Sequence, residues 1–166
     1  MSRALPVPPL DPEAPLAVNA RRVLIVRVVE LFSYAPIIPD ATATEALHNA
    51  RIATKRLRYT LELFRAVFGD EGERIIEHLK EMQEELGQLH DHDVRIAIVE
   101  RELAGLDQEA EETALVRPGL DGLLKRERTA RSRRHTAVVK RWRRLEADEV
   151  LAKLITLASA PARVTS

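Results

Sequence analysis

LHNARIATKRLRYTLELF, at residues 47–64, separates into an apolar side and a basic side when its residues are placed on a helix. At about 100° per residue, one side collects apolar residues that extend just past the quoted stretch. These are Leu47, Ala50, Leu57, Leu61, Phe64 and Phe68. A stripe covering about a third of the circumference collects His48, Arg51, Lys55, Arg58 and Tyr59, and Arg56 lies on its flank. The pattern predicts an amphipathic α-helix with a core face and a cationic face.

The composition of the whole chain agrees with this helix. Ala, Leu, Arg and Glu abound, only 6 glycines occur in 166 residues, and aromatic residues make up 4%. Such a composition favours helices over a β-sandwich or a doubly wound sheet. We therefore expect an all-α fold, an antiparallel up-and-down bundle of four to six helices. The chain has no cysteine, which excludes disulfides and thiolate metal sites.

Turn residues predict where the helices begin and end. We expect an irregular N-terminus over 1–11, a helical bundle over 12–158 and a frayed tail over 159–166. The predicted interruptions are APIIPD at 35–40, GDEG at 69–72, Gly87 with HDHD at 90–93, and a solvated connection at 107–119. The second helix is expected to begin at a Thr42 or Thr44 cap and to persist to Phe68. A long basic helix is predicted from Pro118 to about Leu145, and a short final helix over 150–157.

Charge is segregated along the chain, although the formal net charge is zero. Residues 62–112 contain 16 acids and 5 Lys or Arg, whereas residues 113–145 contain 11 Lys or Arg and 2 acids. On the basic helix, Arg131, Arg134 and Arg141 project from the apolar side. Burying unpaired guanidinium groups is costly, so these side chains either meet the acids of 62–112 or line a wet groove that binds anions.

Two blocks of sequence resemble a known family. LHNARIATKRLRYTLELF at 47–64 is similar to the signature of the CHAD family, the histidine-containing α-helical domain that binds inorganic polyphosphate. LKEMQEELGQLHDHDV at 79–94 is similar to that family's second block, a helix ending in Leu-Gly before an Asp-x-Asp-Val turn. The resemblance, with the surrounding helices, covers most of residues 15–145.

The resemblance implies specific site residues. The basic motif falls on His48, Arg51, Lys55, Arg56 and Arg58, and the second block falls on Leu86, Gly87, Asp91 and Asp93. His90 stands where the family often has arginine, which either removes an anion contact or supplies a titratable one. A typical member has two such helical repeats in one chain, and this chain has one. The resemblance therefore implies either a homodimer that rebuilds the pair or a half-domain with a shallower site.

From these observations we expect a non-catalytic module that binds inorganic polyphosphate in a basic groove between helix 2 (48–59) and helix 5 (125–144). Arg131 and Arg134 would add contacts to those of the first basic motif, because arginine donates paired hydrogen bonds to phosphate. No cofactor is expected. We expect a cytoplasmic protein, associated with polyphosphate granules, and no membrane partner, because the longest apolar runs span only a few residues.

Three alternatives compete with this interpretation. HDHD at 90–93 contains metal-competent side chains, but adjacent residues rarely converge on one ion, so we favour a helix N-cap by Asp91 or Asp93 and expect no metal. Nucleic acid is the second alternative, since any basic groove attracts it, although Tyr34, Tyr59 and Trp142 are too few and scattered for base stacking. The third is a structural adaptor whose basic and acidic helices pair with each other. No Walker loop or nucleophile motif suggests an enzyme.

Overall fold

The computed structural model describes residues 4–106 and 111–160, and within them it contains five helices and no strand. The helices are α1 (Leu16–Phe32), α2 (Thr44–Leu63), α3 (Arg65–Gly105), α4 (Glu111–Ala147) and α5 (Val150–Ser159). The structure is 81% helical, which confirms the prediction of an all-α bundle. Residues 107–110 of the predicted connection and 161–166 of the predicted tail lie outside the described residues.

α3 is the central element of the bundle. It packs against α2 along one side and against α4 along another, while α1 packs on both α2 and α5. No α-carbon of α2 lies within 8 Å of one in α4. One continuous core joins all five helices, and its largest fully buried side chains include Leu24, Leu31, Leu57, Leu61, Ile75, Ile76, Leu79, Met82, Leu86, Leu89 and Leu145. The arrangement follows from the apolar stripe that each helix presents to its neighbours.

The connection between α1 and α2 lies where APIIPD predicts a break, but α2 starts and ends differently from expectation. Ala43 precedes its first turn and no side chain caps it, so the predicted Thr42 or Thr44 cap is wrong. Asp40 instead accepts hydrogen bonds from the Thr42 N–H (2.8 Å) and hydroxyl (2.6 Å), which lower the pKa of the Asp40 carboxyl. α2 ends at Leu63 rather than at Phe68, because Phe64 leaves the helical conformation at φ −103° and ψ 29°.

The predicted turn at 69–72 is present as a kink inside α3. Gly69 has φ 56° and ψ −152°, a conformation that side chains other than glycine rarely adopt. The helix resumes at once after this residue. The short segment before the kink places Phe68 in the core, with its ring edge-on to that of Phe64 at 6.5 Å.

The predicted interruption at Gly87 and HDHD is wrong, because α3 continues through both without a break. A glycine inside a helix costs about 1 kcal/mol relative to alanine. Burial of Leu86 and Leu89 on either side of it, against neighbouring helices, outweighs that cost. Asp91 and Asp93 therefore lie inside a helix and do not cap one. Likewise α4 begins at Glu111, so Pro118 lies inside the helix and not at its start.

Candidate anion-binding surface

The cationic face of α2 lies beside α3, and the two helices border a shallow depression of about 540 Å³ that we call the α2–α3 groove. α2 contributes Arg51 and Arg58. α3 contributes residues spaced along one face of the helix, Lys80, Gln83, Glu84, Gly87, Gln88 and Asp91. The groove is open to solvent and lined mainly by side chains that form hydrogen bonds, so a charged or polar ligand suits it better than an apolar one.

Arg51 is the residue of this groove whose hydrogen bonding is incomplete. Its Nε is buried without a hydrogen-bond partner, and its guanidinium has no ion-pair partner within residues 4–106 and 111–160. Gly87 makes room for it, since a Cβ at that position would lie 3.7 Å from the Arg51 Nε. Buried polar groups are normally hydrogen-bonded. The Arg51 guanidinium is therefore an available donor at the edge of the groove.

Arg58 is held in place by its neighbours. Its Nε donates to Gln83 Oε1 at 3.0 Å and its other nitrogen pairs with Glu62 Oε1 at 2.6 Å, while the guanidinium lies over the Tyr59 ring at 4.5 Å. These contacts fix the side chain between the two helices. Lys55 is exposed, with its Nζ 5.4 Å from the centre of the same ring, and no carboxylate pairs with it in the part of the chain that is described.

His48 lies one helical turn before Arg51 and contacts α3 through His90. The two ring centroids are 4.3 Å apart and the ring planes are inclined by 40°. The Nδ1 of His48 is buried and has no hydrogen-bond partner among the described residues. Burial, followed by the charges of His90 and Arg51, lowers the pKa of His48 below its ordinary value.

Arg56 lies away from the groove, on the side of α2 that faces α1. It pairs with Glu30, a carboxylate that is 5% exposed and that also accepts a hydrogen bond from Arg27 at 2.6 Å. A buried carboxylate requires such partners. The ion pair indicates that Arg56 stabilises the contact between α1 and α2.

Arg131 and Arg134 also pair with carboxylates inside the bundle. Arg131 pairs with Asp93 and donates to the Ala41 carbonyl at 2.8 Å and the Thr44 hydroxyl at 3.1 Å, and Arg134 pairs with Glu85 at 2.9 Å. Further pairs between α3 and α4 are His92 with Glu127, Glu100 with Arg128, and Glu81 with Arg141. The arginines of the basic helix thus meet the acids of the 62–112 segment, one of the two arrangements expected from sequence.

The structure therefore divides the seven predicted binding residues into two groups. His48, Arg51, Lys55 and Arg58 follow one face of α2 at or beside the α2–α3 groove. Arg56, Arg131 and Arg134 are engaged with carboxylates elsewhere. Since α3 lies between α2 and α4, the basic faces of these two helices do not face each other directly.

Sequence reasoning missed the contribution of α3 to the groove. Lys80, Gln83, Gly87 and Asp91 recur at spacings of three or four residues, which places them on one face of a helix. That spacing was a usable signal, but the break predicted at Gly87 concealed it. The groove is electrically mixed, since Glu84 and Asp91 line it together with the three cations.

A family model for the CHAD domain matches residues 2–100, more than half of the chain. The chain belongs to the CHAD domain family. CHAD domains are associated in general with polyphosphate and serve in general as binding or structural domains. No curated protein and no solved structure matches this chain.

The CHAD match covers α1, α2 and all of α3 except its last five residues, so it contains the whole α2–α3 groove. α4 and α5 lie beyond it. Leu86 of the second CHAD block is buried at 2% exposure, Gly87 accommodates Arg51, and Asp93 pairs with Arg131, whereas Asp91 is exposed at the groove. No helix among the described residues is long and apolar enough to span a membrane. No three side chains there form a group suited to a metal ion.

Proposed function

We propose that this CHAD protein binds inorganic polyphosphate, without catalysing its reaction, through the α2–α3 groove and the adjoining cationic face of α2. Arg51 is the central contact, His48 and Lys55 flank it along α2, and Arg58 and Lys80 complete the cationic side chains. This surface differs from the α2 and α4 groove expected from the sequence. The arginines of α4 instead stabilise the bundle through their carboxylate partners.

The observation that supports this proposal is the incomplete hydrogen bonding of Arg51. Its Nε and the Nδ1 of His48 are both buried without a partner on successive turns of α2. A phosphate oxygen would accept from such donors, and the planar guanidinium donates two parallel bonds to a phosphate group. Linear polyphosphate repeats these acceptors along its length, so one chain can contact Arg51 and the exposed Lys55 together.

A structural role without a ligand is the second candidate, and the five ion pairs between α3 and α4 favour it. In that case the opposite charges of the two helices serve only to hold the bundle together. The two candidates differ in a measurable way. A structural role predicts no affinity for polyanions at physiological salt, where weak attraction between exposed charges is screened.

A competition titration at about 0.15 M salt tests the proposal, using long-chain polyphosphate against duplex and single-stranded DNA. We expect polyphosphate to bind and DNA not to displace it. The Arg51→Ala/Lys55→Ala double variant should lose binding while its circular dichroism spectrum stays helical. Arg133→Ala is the matched control, because Arg133 is exposed on α4 without an ion pair among the described residues.

Three results would count against the proposal. Equal binding by the double variant and the wild type would remove the groove as the site. Stronger binding of DNA would make the protein a nucleic-acid factor, and no binding of either polymer would leave the structural role.

A further inference from the structure

His48 and His90 bring two imidazole rings together at the helix interface beside Arg51. With the ring centroids 4.3 Å apart, a proton on one ring opposes a proton on the other. The buried Nδ1 of His48 has no partner within the described ranges, and neither has the Nε of Arg51 one turn further along α2. The interface therefore contains two titratable rings and a permanent cation with unused hydrogen-bonding capacity.

The charges around His48 are mainly positive. Arg51 faces it from α2, and His90 faces it from α3. The carboxylate of Asp93 on α3 favours the charged ring, but Arg131 of α4 pairs with that carboxylate and offsets part of its effect. Burial acts in the same direction as the cations, so in the protein without a ligand His48 is predominantly neutral at neutral pH.

We infer that binding of a phosphate-bearing anion at the α2–α3 groove is coupled to proton uptake by the His48–His90 pair. The inference rests on the proposed function and names a regulation of the same site. An anion beside Arg51 offsets the repulsion between two protonated rings and accepts their N–H groups. Because the coupling of two binding equilibria is reciprocal, protonation of the pair strengthens binding of the anion by the same factor.

His90 is the residue that makes this coupling testable. An arginine at this position would keep a permanent charge and the capacity to donate to phosphate, but it would not titrate. His90→Arg therefore separates the proton response from the positive charge. His78 supplies a matched control on the same helix, since it lies 3.9 Å from Asp148, near the start of α5, and does not border the groove.

The experiment is a calorimetric titration with long-chain polyphosphate at about pH 6 and about pH 8, at constant ionic strength. Each titration is repeated in two buffers of different ionisation enthalpy, which counts the protons taken up on binding. The terminal phosphates titrate near a pKa of about 6, and their contribution is common to all variants. Comparison with His90→Arg therefore isolates the contribution of the pair.

We expect wild-type affinity to be about three- to tenfold tighter at the lower pH, since one unit of pKa change corresponds to about tenfold. His78→Gln should behave like the wild type, and His90→Arg should show a flatter pH dependence and less proton uptake. Identical proton uptake by the wild type and His90→Arg, with binding retained, would overturn this inference and leave the proposed function standing. Absence of wild-type binding at both pH values would overturn both.

Discussion

Arg131→Ala is expected to destabilise the fold while leaving the anion-binding surface intact. The Arg131 and Asp93 side chains are only 15% and 12% exposed, and Arg131 also donates to Ala41 and Thr44. Removing one partner of a buried ion pair costs about 3–5 kcal/mol, because the other charge is left uncompensated. Some solvent reaches this pair, so we expect a loss of about 3 kcal/mol, a large part of the ~5–15 kcal/mol that stabilises a typical domain.

Urea unfolding followed by far-ultraviolet circular dichroism measures this loss. With a slope of about 2 kcal/mol per molar urea, the midpoint should fall by about 1.5 M. Arg133→Ala removes the same charge from an exposed position of α4 and should change stability by less than about 0.5 kcal/mol. Combining Arg131→Ala with Asp93→Asn should cost less than the sum of the single changes, because the second change removes the uncompensated carboxylate charge.

The result that would refute this reasoning is specific. If Arg131→Ala unfolds at the same urea concentration as Arg133→Ala but binds polyphosphate more weakly, Arg131 contacts the ligand and its pairing with Asp93 contributes little to stability. The groove would then have to include α4, as the sequence alone suggested.

Three further changes have definite expected outcomes. Gly87→Ala should raise the free energy of unfolding by about 0.5–1 kcal/mol, because the added Cβ makes ordinary contact with Arg51 and alanine favours the helix, whereas Gly87→Leu should weaken polyphosphate binding in a titration by covering the guanidinium. Gly69→Ala should lower the free energy of unfolding in urea by about 1–3 kcal/mol, because its positive φ strains any other residue, and no loss would show that the kink relaxes. The lowered pKa of His48 means that the unfolded chain binds its proton more readily, so stability should fall as pH drops through about 6.5 and below, and His48→Gln should flatten that part of the urea-midpoint profile.

Local periodicity predicted the elements whose partners are implied by one apolar face. α1, α2 and α5 lie close to their expected positions, and Leu47, Ala50, Leu57 and Leu61 of the predicted core face are all buried. Such faces need only a core to bury them, whichever helix provides it. That is why the all-α class followed from a single stretch of sequence.

The continuity of α3 could not be predicted, because it depends on contacts distant in sequence. Gly87 and the following HDHD carry local signals for a helix end, and a tertiary contact overrides them. Asp93 shows why: the local pattern suggests a cap, whereas its partner is Arg131, 38 residues later. The same limitation applied to Arg131 and Arg134, since their charge and spacing suit phosphate and carboxylate equally well.

The position of α3 between its two neighbours separates the recognisable family sequence from the unit that folds. The CHAD match ends at residue 100, yet Glu81, Glu85, Asp93 and Glu100 within it have their cationic partners on α4. Val138, Trp142 and Leu145 of α4 also complete the core that the matched helices share. A fragment ending at residue 100 would expose that apolar surface and leave four carboxylates facing one another along one side of α3. The smallest piece of this protein that folds therefore extends to α5, and domain boundaries drawn from family similarity alone would divide its hydrophobic core.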